Sequence, residues 1–274
     1  NEIYENIGNL KNWGVEFNIS SNNVESGDFV WKTDFNITTN KNRILKLNEA
    51  EQGKGKEETT RIRKEGESLN TWYLANNLGV DPEKGVYFIE QRDAAIWNTA
   101  YQTVTTGENI PMTNNNVANN KIIQHGKTPL PTFYGGLSNS FYYKDFDLSI
   151  LLSFAGGNWL MNDLYSAADQ MSSENNSIKD LVGNSWEKSG DKAKYPQIVA
   201  GESYFYDHDG NPSQTRTQFT STEQTTRYLQ KGDYIRLRNL QLGYTLPKAL
   251  LSRIHVSSIR FFLSGTNLLT ITGF

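Results

Sequence analysis

Cysteine is absent from this 274-residue chain. That excludes disulfides and thiolate metal sites, and it fits an oxidising exterior without requiring one. Nor is there any stretch near the roughly 20 apolar residues of a membrane-spanning helix; the strongly apolar runs are as short as Ile150-Leu151-Leu152. Positive charge is not in surplus. Lys and Arg number 27 against 30 Asp and Glu, which argues against nucleic acid, whose binders carry a basic stripe. The three histidines, His125, His208 and His255, are scattered and match no zinc spacing. No nucleophile–base constellation is visible, so the chain is read as a non-enzyme with no catalytic residue, no cofactor and no metal. It has no internal tandem repeat. It lacks an initiator Met and a signal peptide, starting at Asn1 in a polar stretch and stopping at Phe274 after an apolar one. The expectation is a segment of a longer polypeptide.

What is present is alternation. Six segments change apolar for polar residues one for one, and the connections between them run short, long, short, long, short. The clearest is Phe146 to Phe154: Phe146, Leu148, Ile150, Leu152 and Phe154 fall on one side of a strand, Asp147, Ser149 and Ser153 on the other. Expected strands cover 12–20, 29–39, 132–143, 146–154, 227–246 and 256–266. Lys144-Asp145 is a two-residue hairpin turn. The phase slips between Leu237 and Leu240, as a β-bulge would cause. Two long polar excursions, 40–129 and 156–225, separate the strands. The second holds a possible short helix near Ile178 to Trp186, and Pro247 to Ser252 looks like a short turn or a single helical turn.

Short turns at one end and long loops at the other point to an all-β fold, an antiparallel transmembrane β-barrel segment. A mean hydropathy of −0.61 is compatible with this, because barrel strands are apolar on one face only. Phe146, Leu148, Ile150, Leu152 and Phe154 would then face lipid. Six strands cannot close such a barrel, since single-chain examples begin at about eight, and an open edge in lipid leaves unpaired backbone groups. Further strands are therefore expected outside the chain.

Several motifs carry a resemblance to a family. They are Asn6 to Glu16, Leu78-Gly79-Val80-Asp81-Pro82-Glu83-Lys84-Gly85, Pro131 to Ser138, Tyr143 to Leu148, Trp186 followed by Tyr195-Pro196, Tyr228 to Pro247, and Ser264 to Thr272. In this order they resemble the C-terminal barrel half of the SusC/RagA-like TonB-dependent outer-membrane transporters. The resemblance implies a 22-stranded barrel around an N-terminal plug, a SusD-like surface lipoprotein as lid, and import of oligosaccharides or peptides powered by the TonB complex. It places the chain in the bacterial outer membrane, in contact with its lipid, with the two long loops extracellular. The plug and the closing strand would lie outside residues 1–274. Many members carry a calcium-like loop after the Gly-Val-Asp-Pro-Glu element. Val86 to Asp93 stands there instead, so no metal is carried over.

Other residues invite two readings each. Asp207-x-Asp209-x-Asn211 imitates an EF-hand, but Pro212 and Gln218 stand where Gly and Glu are needed, and a β-turn fits better. Arg236 and Arg238 should avoid lipid; they either contact plug carboxylates or are ordinary lumen charges. Tyr142, Tyr143 and Phe146 flank the short turn and suit an interface girdle or cross-strand packing. Trp72, Tyr73, Trp97 and Trp159 sit in the loops as contacts for cargo or lid, or as a loop mini-core. A passive porin or adhesin barrel, and a soluble extracellular glycan-binding β-sandwich, are the rival architectures.

Overall fold

A computed structural model describes residues 8–169, 178–198, 224–251 and 256–274. The chain opens with β1 (Gly8–Ser26) and β2 (Phe29–Leu47). The first long connection carries β3 (Lys56–Glu57), β4 (Arg61–Arg63), β5 (Thr71–Ala75), β6 (Asn77–Val80) and β7 (Tyr87–Arg92), then α1 (Ala94–Ala100), β8 (Thr105–Pro111), α2 (Asn114–Asn119) and β9 (Lys121–Ile123). β10 (Phe133–Tyr143) and β11 (Phe146–Gly156) form the next hairpin. The second connection holds β12 (Trp159–Met161), α3 (Asp163–Asp169) and β13 (Leu229–Lys231). β14 (Tyr234–Thr245), α4 (Lys248–Leu251) and β15 (Arg260–Thr272) complete the order.

The chain divides into two compact units. One, made of 12–41, 130–158 and 231–274, is an antiparallel meander in the order β1-β2-β10-β11-β14-β15. Alternation alone accounts for its two faces, because paired residues share a face. Both the β11–β14 and β14–β15 registers shift around residues 237–239. This β-bulge keeps Leu237 and Leu240 on one side despite their spacing.

Several bounds differ from those read in the sequence. β1 and β2 are longer at both ends or one, since polar residues continue the pairing beyond the apolar stretch. The single strand expected over 227–246 is broken. Thr226–Tyr228 is a 3-10 turn, β13 pairs with β12, and the long-sheet strand starts only at Tyr234. At the break, Gly232 N donates to Asn158 O and Gly157 N to Asp233 Oδ1; these bonds divert the backbone from the ladder. The last strand starts at Arg260 instead of 256 and runs on to Thr272, past a bulge at Asn267, whose φ is 52°. The helix expected near Ile178 to Trp186 is a single 3-10 turn, Lys179–Leu181. The Asp207 to Pro212 turn, Gln218, His208 and His255 lie outside the described residues.

The second unit comprises 1–11, 42–129 and 159–230. The described parts of its long excursions are folded. Among their interactions, Ala75 bridges Thr225, and Trp72 Nε1 donates to Trp159 O at 2.9 Å. Helix α1 is capped by Asp93, whose side chain accepts from Ile96 N. The Thr113 side chain caps α2 in the same way.

Candidate functional site

The meander presents one face as ordered rows. Read across β2, β10, β11, β14 and β15, they are Phe29–Tyr143–Phe146–Tyr244–Phe261, then Trp31–Phe141–Leu148–Leu242–Leu263. Next come Thr33–Asn139–Ile150–Leu240–Gly265, Phe35–Leu137–Leu152–Leu237–Leu269, and Ile37–Gly135–Phe154–Ile235–Ile271. The five residues expected to meet lipid thus belong to five successive rows on one side. The first row is aromatic throughout, and the Phe146 ring packs tilted against Tyr244 with centroids 4.6 Å apart. Beyond the last row, Phe133 pairs with Thr39. Ten residue steps separate the Phe29 and Thr39 rows; at about 3.3 Å per step and a tilt near 40°, they rise roughly 25 Å, the height of an outer-membrane apolar band.

The middle row is polar on two strands, and those side chains satisfy one another. Trp31 Nε1 donates to Asn139 Oδ1 at 2.9 Å, Thr33 Oγ1 donates to the same oxygen at 2.7 Å, and Asn23 Nδ2 donates to Thr33 Oγ1 at 2.6 Å.

The opposite face is hydrophilic, with rows such as Lys32–Ser140–Ser149–Gln241–Ser264 and Asn36–Gly136–Ser153–Arg236–Thr270. Arg236 stands here; its Nε donates to Thr270 Oγ1 at 3.0 Å and its guanidinium lies over the Tyr234 ring. Arg238 is the bulged residue, bonded to Asn267 Oδ1 at 3.3 Å. Tyr142 also belongs to this face, so of the three aromatics beside the short turn only Tyr143 and Phe146 join the all-aromatic row.

The loop aromatics have a different fate. Trp72, Tyr73 and Trp97 are 4%, 1% and 6% exposed. Tyr73 and Trp97 pack with Ile62 and Ile123, while Trp72 packs with Leu74 and Leu229 and against Trp159 and Met161. Their ring faces are taken by cations: Arg61 over Trp72 at 4.9 Å, Lys121 over Tyr73 at 5.1 Å and Arg92 over Trp97 at 4.5 Å. Lys127 likewise lies 4.9 Å over the half-buried Trp159. Trp72, Tyr73 and Trp97 are thus core residues of the folded excursions, with almost no ring surface exposed. Burial pushes the Tyr73 hydroxyl up to about 12, with Arg92 opposing, and holds Lys121 below its ordinary value. Arg227 was not singled out by sequence. It lies over Tyr87 at 4.2 Å and close to Tyr195 and Tyr228; the only advance signal was that the last two sit in motif stretches. Among the described residues no cluster of three metal-ligating side chains exists.

The chain is 30% identical, over 98% of its length, to TonB-dependent receptor P3 of Formosa agariphila, and covers 25% of that protein. Over nearly its whole length the chain is homologous to a segment of TonB-dependent receptors. SusC of Bacteroides thetaiotaomicron is 30% identical over 60% of the chain, which covers 16% of that relative. No family model matches. The RagAB peptide transporter structure shares the fold, with a TM-score of 0.75 at 24% identity over 99% of this chain and 27% of that one. The segment spans about a quarter of the length of the curated relatives it matches.

Within the chain, two motif stretches meet. Trp186 Nε1 donates to Pro82 O at 2.7 Å, and a Cβ on Gly85 would stand 2.4 Å from the Trp186 ring. Gln197 N donates to Gly85 O and Gly190 N to Pro82 O. The Leu78 to Gly85 turn and the Trp186 to Pro196 stretch are thus two sides of one clasp.

Proposed function

We propose that this segment forms part of the wall and mouth of an outer-membrane TonB-dependent importer, taking up oligosaccharides or peptides with a SusD-like lipoprotein as lid. The outward rows meet hydrocarbon, the hydrophilic face looks into the lumen, and the folded excursions shape the cell-surface vestibule. The segment performs no chemistry on cargo; passage follows when the TonB complex rearranges the plug. One observation carries this reading: an apolar face about 25 Å tall, starting at an all-aromatic row. A sandwich would bury that face, yet Phe146 is 50% and Leu263 77% exposed. Homology with TonB-dependent receptors favours an energised importer over a passive porin.

The test uses adjacent residues of opposite aspect in the full-length receptor. Leu240→Arg places a guanidinium near mid-band on the outward side, costing about 2–4 kcal/mol in lipid, and should abolish the heat-resistant barrel in outer-membrane fractions. Asn239→Arg faces inward and should assemble normally. Equal assembly of the two variants would overturn the assignment of the faces. Loss of uptake on deleting the partner lipoprotein tests the lid.

A further inference from the structure

The hydrophilic face of the meander carries a guanidinium that its neighbours hold without neutralising. Arg236 Nε donates to Thr270 Oγ1 at 3.0 Å, and its guanidinium carbon lies 5.1 Å from the centre of the Tyr234 ring. Both partners are neutral. Among the described residues Arg236 forms no ion pair and its two Nη groups make no hydrogen bond. Arg260, on the same face, is neutralised by Asp147. A ring against one side and a bond at Nε orient the Arg236 plane and leave its two-pronged Nη edge to offer. The surroundings are aromatic. The next row of this face toward the long excursions runs Thr38–Tyr134–Ala155–Tyr234–Thr272, and Tyr134 is 47% exposed. Arg236 shares its own row with Asn36, seven residues beyond Phe29. At about 3.3 Å per residue and barrel tilt, it stands about 18 Å up a wall of roughly 25 Å.

We propose that Arg236, beside Tyr134 and Tyr234, selects acidic cargo by binding a carboxylate at its Nη edge. This inference rests on the lumen placement proposed above. A guanidinium edge matches a carboxylate in two parallel hydrogen bonds, and the charge of Arg236 has no internal acid to satisfy it. A uronic sugar presents a carboxylate beside an apolar C–H face, which an exposed ring such as Tyr134 accommodates; an acidic peptide side chain presents the same carboxylate. Height favours cargo over the plug as the occupant. The long excursions mark the end from which cargo arrives, and Arg236 lies in the third of the wall nearest them. Lys32, another inward cation without an ion pair, stands three residues beyond Phe29, about 8 Å up by the same measure.

The experiment takes the full-length receptor in detergent and first checks for a heat-modifiable barrel. Its absence in the wild type would sink the membrane reading and this one with it; a sound barrel with the binding results below reversed would sink this one alone. Trigalacturonate and its methyl ester, then triglutamate and triglutamine, are titrated at low ionic strength, where screening is weak. Wild type should bind one of the acids about tenfold tighter than its neutral counterpart, the scale of one charge-assisted contact. Which acid shows the preference tells glycan from peptide. Arg236→Gln should erase the preference with the barrel intact. Arg236→Lys keeps the charge but loses the fork, and should cut it about threefold. Lys32→Gln should leave it unchanged. No preference in the wild type for either acid, a preference surviving R236Q, or one lost equally in K32Q would overturn the proposal. Should R236Q fail to assemble, R236K decides, and a full tenfold preference there would overturn it. An unchanged preference with a plug made protease-sensitive by R236Q would assign Arg236 to the plug instead.

Discussion

Asp147 on β11 and Arg260 on β15 form a bidentate pair, at 3.1 and 2.6 Å, across the intervening strand. They meet because Gly243 lies between them: a Cβ there would stand 2.3 Å from Asp147 Oδ1 and 2.4 Å from Arg260 Nη2. Gly243→Val should therefore break the pair without touching either partner. The midpoint of heat-modifiability of the full-length barrel should fall. Adding Arg260→Met to Gly243→Val should lower it little further, and strictly additive losses would refute the arrangement.

The polar cluster on the apolar face should be an all-or-none unit. Asn139→Leu leaves the Trp31 indole N–H and the Thr33 hydroxyl without their shared acceptor, at about 1–3 kcal/mol for an orphaned donor away from water. Trp31→Phe together with Asn139→Leu and Thr33→Val should recover most of that loss in a urea-unfolding series of the full-length protein in detergent.

Alkaline pH should loosen the loop unit through Tyr73. Its folded-state value, about 12, lies above the ordinary value of 10.0. The folded state thus holds the proton where the unfolded state has lost it. Stability is full below about pH 10 and declines as pH rises to about 12. The lowered Lys121 works in the other sense at lower pH, its contribution growing as pH climbs toward 10.5. Tyr73→Phe should flatten the decline between pH 10 and 12, followed by tryptophan fluorescence of the full-length receptor.

Trp97 and Trp159 should separate packing from recognition. Trp97→Ala removes a buried ring from the cluster with Ile62, Tyr73 and Ile123 and should cost about 3–5 kcal/mol, read as protease sensitivity of the loops. Trp159 is only half-buried, so Trp159→Ala should be milder there. A larger proteolytic effect at Trp159 would contradict the burial pattern.

The faces of the sheet were legible because strand alternation is local: Phe146 to Phe154 announces its side with no knowledge of any neighbour. The bulge near Leu237 was equally readable as a slip of phase. The loop aromatics were not. Whether Trp72 offers its ring to a ligand or buries it depends on Leu229 and Trp159, far along the chain, and sequence spacing carries no trace of that meeting. The division at Gly232-Asp233 was missed for a similar reason, since the bonds that cause it come from Gly157 and Asn158. The Arg227 stack with Tyr87 likewise joins both excursions. The motif stretches Leu78 to Gly85 and Trp186 to Pro196 read as separate in the sequence, and the fold makes them one joint.

Ala75 bridges Thr225, and Asn77 N bonds to Thr226 Oγ1 across 149 positions. Neither excursion can thus be transplanted into a relative by itself: a graft of one would arrive without half of its own interior. Diversification of these excursions must then proceed by matched changes in both inserts, and chimeras that exchange them as a couple should survive where single exchanges collapse.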